Sequence, residues 1–139
     1  MNLPNEAQPA EREPLAEMPR GRETILVVED NPDLRDIAVD LLEGLGYTAL
    51  SAEDGQAGLD LYHQQRSQID LILLDLSLPG LSGRELLRRI RAVDEDLKII
   101  VFTGEVVEES PIEGSDGLLQ KPFRLADVEH TIRTVLDQP

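Results

Sequence analysis

Two acids at Glu29-Asp30, a third at Asp75, a hydroxyl at Thr103 and an ammonium at Lys121 are the residues whose types and spacing could do chemistry together. Each closes a short, mostly apolar run: TILVV before Glu29, LILL before Asp75, IIVF before Thr103 and GLLQ before Lys121. Runs without polar alternation read as strands buried on both faces of a parallel sheet. Open α/β sheets bind ligands outside the carboxyl ends of their strands, so these groups fall where chemistry is expected. Carboxylates about 4 Å apart repel by about 4 kcal/mol per pair at an effective dielectric near 20. A site holding three of them must keep a proton or bind a cation. Oxygen-only ligands favour Mg²⁺ or Mn²⁺ over zinc, and Mg²⁺ usually keeps waters and takes one or two carboxylates plus phosphate oxygens. With a lysine to neutralise phosphoryl oxygens and a hydroxyl donor, the set matches the needs of phosphoryl transfer, which are positioning and charge neutralisation. Asp75, alone on its strand tip, is the candidate nucleophile.

The elements that must position these groups alternate strictly. Thr24 to Val28 reads as a strand, and Asn31-Pro32 then gives an N-cap followed by proline at the first helical position. Leu34, Ile37, Ala38, Leu41, Leu42 and Leu45 recur as one apolar helical stripe, with Gly46 as its stop. Tyr47 to Ala52 is a less hydrophobic strand, expected nearer a sheet edge. Asp54 caps a second helix to about Arg66, with Ala57, Leu61 and Tyr62 inward. After the strand ending at Asp75, Pro79-Gly80 marks a turn, and Ser82 with Glu85 forms a capping box. That box opens a helix from about Gly83 to Val93, with Leu86, Leu87, Ile90 and Val93 inward and Arg84, Arg88, Arg89 and Arg91 outside the stripe as a basic surface. Leu97 to Thr103 is a fourth strand and Gly117 to Gln120 a fifth. A last helix runs from about Arg124 to Asp137 on Leu125, Val128, Ile132, Val135 and Leu136. Five such β/α units imply a parallel sheet with right-handed crossovers and helices on both faces.

Composition excludes several classes. A chain of 139 residues with 40% apolar content holds one domain, and 3% aromatic residues with no Trp leave a core of Leu, Ile, Val and Ala. No Cys means no disulfide and no thiolate metal site, which suits a reducing cytosol. A net charge of −15 argues against non-specific binding to nucleic acid or an anionic membrane. No apolar run approaches the roughly 20 residues of a membrane helix, and no signal-peptide core stands at the N-terminus. A cytoplasmic location is expected. Residues 1–23 hold four of the nine prolines and a net charge of −2, which leaves −13 for the rest. This composition reads as a flexible leader before a folded unit at 24–138. His63 and His130 fall on helix patterns and read as ordinary surface histidines.

The motifs TILVVEDNPDLR (24–35), LILLD with Pro79-Gly80 after it, VFTG (101–104) and KPF (121–123) occur in this order at these strand ends. Together they resemble the receiver domain of two-component response regulators over about residues 23–138. The resemblance implies a flavodoxin-like, doubly wound five-stranded sheet in the order 2-1-3-4-5. It also implies that Asp75 accepts a phosphoryl group from a phosphohistidine of a sensor histidine kinase or phosphotransfer protein. Glu29, Asp30, Asp75 and the backbone carbonyl of Ser77 would hold Mg²⁺, Mn²⁺ being possible chemically, while Thr103 and Lys121 bind phosphoryl oxygens. The Lys121-Pro122 bond would be cis. No enzyme activity is implied beyond phosphorylation and dephosphorylation at Asp75.

Two departures stand out. Leu118 occupies the position, three before the lysine, where receivers commonly carry an aromatic, and a leucine cannot present a polar tip to a partner. Only 17 residues separate Thr103 from Lys121, and Pro111, Gly114 and Gly117 among them disfavour a long helix. A short or absent fourth helix is expected, a form that resembles receivers of hybrid sensor kinases. The chain ends soon after its last helix, so signalling to an unknown downstream target by protein contact is expected from a stand-alone regulator or phosphorelay component. The alternatives are a phosphorylation-independent scaffold and a detached receiver of a hybrid kinase. A Mg²⁺-dependent aspartyl-phosphate hydrolase fits less well, because Ser77 stands where such enzymes carry a second acid.

Overall fold

Every residue of Leu71–Asp75 is buried, as a strand covered on both faces must be. In the computed structural model, which describes residues 22–104, 112–122 and 124–138, this strand (β3) is central to a five-stranded sheet. The others are β1 (Thr24–Val28), β2 (Thr48–Ala52), β4 (Lys98–Thr103) and β5 (Gly117–Gln120), all paired in parallel. Their spatial order is β2-β1-β3-β4-β5, the doubly wound order implied by the resemblance, and the less apolar β2 is an edge strand as expected.

Alternate residues of the strands feed two cores. On one face Leu26, Val28, Ile72, Leu74, Ile99 and Val101 pack with Tyr62, Leu86, Leu87 and Ile90 from α2 (Gly55–Gln65) and α3 (Gly83–Val93). On the other, Ile25, Val27, Leu71, Leu73, Ile100 and Phe102 pack with Leu42, Val128, Ile132 and Val135 from α1 (Pro32–Gly44) and α4 (Leu125–Leu136). The described residues thus hold four α-helices, two on each face, plus a 3₁₀ turn at Arg66–Gln68.

The N-cap residues act as read, while Glu85 of the expected capping box turns to arginines on its own helix. The Asn31 side chain accepts from the backbone N–H groups of Asp33 and Leu34, and Pro32 opens α1. Gly46, with φ of 99°, sits in the left-handed region just past that helix. Asp54 caps α2 through Ala57, and Ser82 caps α3 through Glu85. The Glu85 side chain pairs with Arg88 and Arg89.

Four apolar positions depart from the expected stripes. Leu34 and Ile37 are 40% and 59% exposed, because they face the gap between α1 and α4 instead of the sheet. Val93 and Leu125, 73% and 54% exposed, are the last and first residues of their helices, where a helical period outruns the packed length. Arg91 is also not part of an outer basic surface. It turns inward and donates to the carbonyls of Gly114 (2.6 Å) and Leu97 (2.6 Å) and to Asp116 Oδ2 (2.7 Å). The same carboxylate oxygen accepts Ile99 N–H at 2.8 Å. This ties α3 to the chain entering β5, where Ile112 is buried in the core and residues 112–116 form no helix. The rest of the expected short fourth-helix region, 105–111, lies outside the described residues, as does most of the expected leader at 1–21.

Because Asp116 satisfies two partly buried donors at once, Asp116→Ala should lower the unfolding free energy by about 1–3 kcal/mol. Arg89→Ala, which breaks an exposed pair with Glu85, should change it by no more than about 0.5 kcal/mol. Urea denaturation of the two variants checks the contrast.

Candidate active site at the carboxyl ends of the strands

Register brings the acids together. Val28 pairs with Leu74, so Glu29, the next residue, lies level with Asp75 at the end of β3. Asp75 in turn pairs with Phe102, and Thr103 with Gln120, which puts Thr103 and Lys121 at the two neighbouring tips. One carboxylate oxygen from each of Glu29, Asp30 and Asp75 lies within 4.8 Å of the others. Glu29 and Asp75 are 2% and 3% exposed and Thr103 is fully buried, whereas Asp30 opens to solvent.

Each group is held by local bonds. Asp75 Oδ1 accepts the backbone N–H of Ser77 at 2.9 Å, which places the Ser77 main chain beside the site. Glu29 Oε2 accepts Asn31 N–H at 3.0 Å, and Glu29 N–H donates to the Ala52 carbonyl at 3.1 Å. Lys121 N–H donates to the Thr103 carbonyl at 2.8 Å, and the Lys121-Pro122 peptide is cis. The Lys121 ammonium lies 3.9 Å from Glu29 Oε1 and 5.3 Å from the centre of the Phe102 ring. Behind Asp75, α3 comes so close that a Cβ on Gly83 would sit 2.3 Å from the Asp75 carbonyl oxygen. Only a glycine lets the helix start there.

Glu29 Oε1 is buried with no hydrogen-bond partner among the described residues, the lysine being beyond bonding distance. A buried carboxylate oxygen left in that state is unfavourable. With three carboxylates converging and no nitrogen or sulfur ligand among them, the donor set fits a hard divalent cation such as Mg²⁺. Burial pushes the Glu29 carboxyl up to about 7, and the neighbouring Asp75 adds to the rise, while the Asn31 N–H and Lys121 oppose it.

The site residues read from the sequence are therefore gathered: Glu29, Asp30, Asp75 and Lys121 by distance, Thr103 by strand register, and Ser77 by its bond to Asp75. His63 and His130 are exposed on helices, as expected. Two contributors carried no role in the sequence reading. Arg35 donates to the Glu29 carbonyl at 2.9 Å, and Phe102 lies beneath the lysine. Arg35 stands one helical turn after the Asn31 cap, within reach of the preceding carbonyls, so its spacing was a usable signal. Nothing in the spacing marks Phe102.

The raised Glu29 carboxyl has a stability consequence. In the absence of divalent cations the folded chain retains a proton between about pH 4.5 and 7 that the unfolded chain releases. The stability that Glu29 contributes is therefore fully present below this window and is lost as pH rises through it. Urea midpoints measured at the two ends of the window should show this fall, and Glu29→Gln should flatten it.

Known proteins resemble this chain in sequence and fold. The family model for the response regulator receiver domain matches residues 25–133. The chain is 30% identical over 118 residues to sporulation initiation phosphotransferase F of Bacillus subtilis, covering 82% of this chain and 94% of that protein. A receiver domain protein from Clostridium thermocellum superposes with a TM-score of 0.78 at 28% identity, over 83% of this chain and 94% of its own. The receiver domain of the sensor histidine kinase PA1611 from Pseudomonas aeruginosa, solved with a magnesium ion in its active-site cleft, gives 0.77 at 29% identity, over 85% and 100%. Three other curated relatives are longer, and the chain spans 46%, 13% and 51% of their lengths. With the family model covering most of the chain and the fold shared, this chain belongs to the response regulator receiver domains of two-component signalling systems.

Proposed function

We propose that residues 24–138 act as a phosphoacceptor receiver in which Asp75 takes a phosphoryl group from the phosphohistidine of a sensor histidine kinase or phosphotransfer protein. The observation that carries this reading is the buried Asp75 carboxylate at the tip of β3, within 4.8 Å of the Glu29 and Asp30 carboxylates. Asp75 Oδ2 would attack phosphorus in line, the P–N bond breaks, and the imidazole leaves to take up a proton. Ser77 N–H, already bonded to Asp75 Oδ1, holds the carboxylate in one orientation and would leave Oδ2 to attack. Thr103 and Lys121 would receive the oxygens of the transferred group, and the lysine offsets their charge. Mg²⁺, held by Glu29, Asp30, Asp75 and the Ser77 carbonyl, would neutralise charge on the phosphoryl oxygens. Mn²⁺ fits the same donors.

The chemistry of this signalling domain is then the gain and loss of one phosphoryl group. The added charge of about −1.5 to −2 would draw Thr103 toward Asp75 and alter the face formed by β5 and α4. Leu118, half-buried in β5 against the core, makes an apolar contribution to that face in place of an aromatic one. The apolar gap between α1 and α4, rimmed by Leu34 and Ile37 and closed at one end by Glu29 and Lys121, would seat a helix of the phosphodonor. No helix among the described residues is long and apolar enough to cross a membrane, and we place the protein in the cytoplasm, where sensor kinases present their phosphohistidines.

Transfer of radiolabelled phosphate from an autophosphorylated histidine kinase tests the assignment. Asp75→Asn should accept no label, and Lys121→Ala should slow transfer on the order of a hundredfold or more through loss of charge stabilisation. Acid-stable label persisting in Asp75→Asn would place the acceptor elsewhere.

A further inference from the structure

The turn that carries Glu29 and Asp30 is only three residues long, between the end of β1 at Val28 and the start of α1 at Pro32. Its two acids face a third at Asp75, and like charges gathered at this distance push the turn away from the strand tips. From inside the fold the turn is tied to β2 by the bond from Glu29 N–H to the Ala52 carbonyl. From the helix side Arg35 reaches back over the end of α1. Its Nη1 donates to the Glu29 carbonyl at 2.9 Å and lies 3.5 Å from the Asp30 carbonyl. Its own backbone N–H bonds the Asn31 carbonyl at 2.9 Å, so the chain from which the side chain projects is itself fixed to the turn. One guanidinium thus gathers the main chain of both acids and sets a positive charge behind them.

We propose that Arg35 is a positioning residue for the cation site, holding the Glu29-Asp30 turn closed so that both carboxylates are prearranged with Asp75. The inference rests on the Mg²⁺ reading above and adds a residue to it. A charge-assisted bond to a carbonyl is stronger than a neutral one, and groups that orient metal ligands from behind typically set 10- to 100-fold of metal affinity. Arg35 is half-buried at the base of the turn and touches neither the nucleophile nor the phosphoryl group in this reading. Its loss should therefore appear in metal dependence and leave the rate at saturating metal intact.

The test is Mg²⁺ titration of the full chain by calorimetry, with transfer from a phosphorylated kinase measured across Mg²⁺ concentrations. Arg35→Ala should weaken Mg²⁺ binding by about tenfold or more and shift the half-saturating Mg²⁺ for transfer by the same factor, with the maximal rate unchanged. Arg35→Lys, which keeps the charge and one donor, should recover much of the affinity, and Arg35→Gln, which keeps a donor alone, should recover less. Unaltered Mg²⁺ binding in Arg35→Ala would overturn the inference. So would a lowered maximal rate with an unshifted Mg²⁺ dependence, since that pattern belongs to donor docking. Absence of Mg²⁺ binding by the unsubstituted chain would overturn the metal reading itself, and this inference with it.

Discussion

Holding three carboxylates within 4.8 Å of one another, two of them buried, is the constraint on which this structure turns. Left to themselves, such groups separate and hydrate. The fold counters this by attaching them at or just past strand tips whose spacing is set by the backbone hydrogen bonds of the β1–β3 ladder. The residual strain is visible at Glu29, whose carboxyl is driven up to about 7 and whose Oε1 has no bonding partner among the described residues. A site in that condition favours whatever brings positive charge into it, which is the property a cation-dependent phosphoacceptor needs.

Burial of β3 on both faces follows from the same requirement. Apolar residues alternate into the α1–α4 core and the α2–α3 core, so the strand bearing Asp75 is rigid in both directions normal to the sheet. Gly83 extends that support past the strand end, because the start of α3 rests against the Asp75 main chain. Asp75 is thereby held by its neighbours above, below and beyond, while Asp30 and the lysine keep access to solvent.

The far end of α3 is bound differently. Arg91 and Asp116 join the helix to the start of β4 and to the chain entering β5, with Ile112 filling the core alongside. Polar bonds and one isoleucine thus secure a stretch of sheet face over which residues 112–116 provide no helix. The same α3 therefore touches Asp75 at its first residue and the approach to β5 near its last.

Much of this was legible from residue order. Strand identity, caps at Asn31, Asp54 and Ser82, and the convergence of acids with a lysine all rest on local patterns: apolar runs, capping residues and their distance along the chain. These patterns determine which residues stand at strand tips, because a parallel sheet sends every tip to the same edge. The inward turn of Arg91, the exposure of Leu34 and Ile37 and the place of Phe102 beneath Lys121 were decided only by tertiary packing. Helical periodicity assigns a side chain to a face but does not say what, if anything, lies opposite that face, nor which carbonyls remain for a long cationic side chain to satisfy.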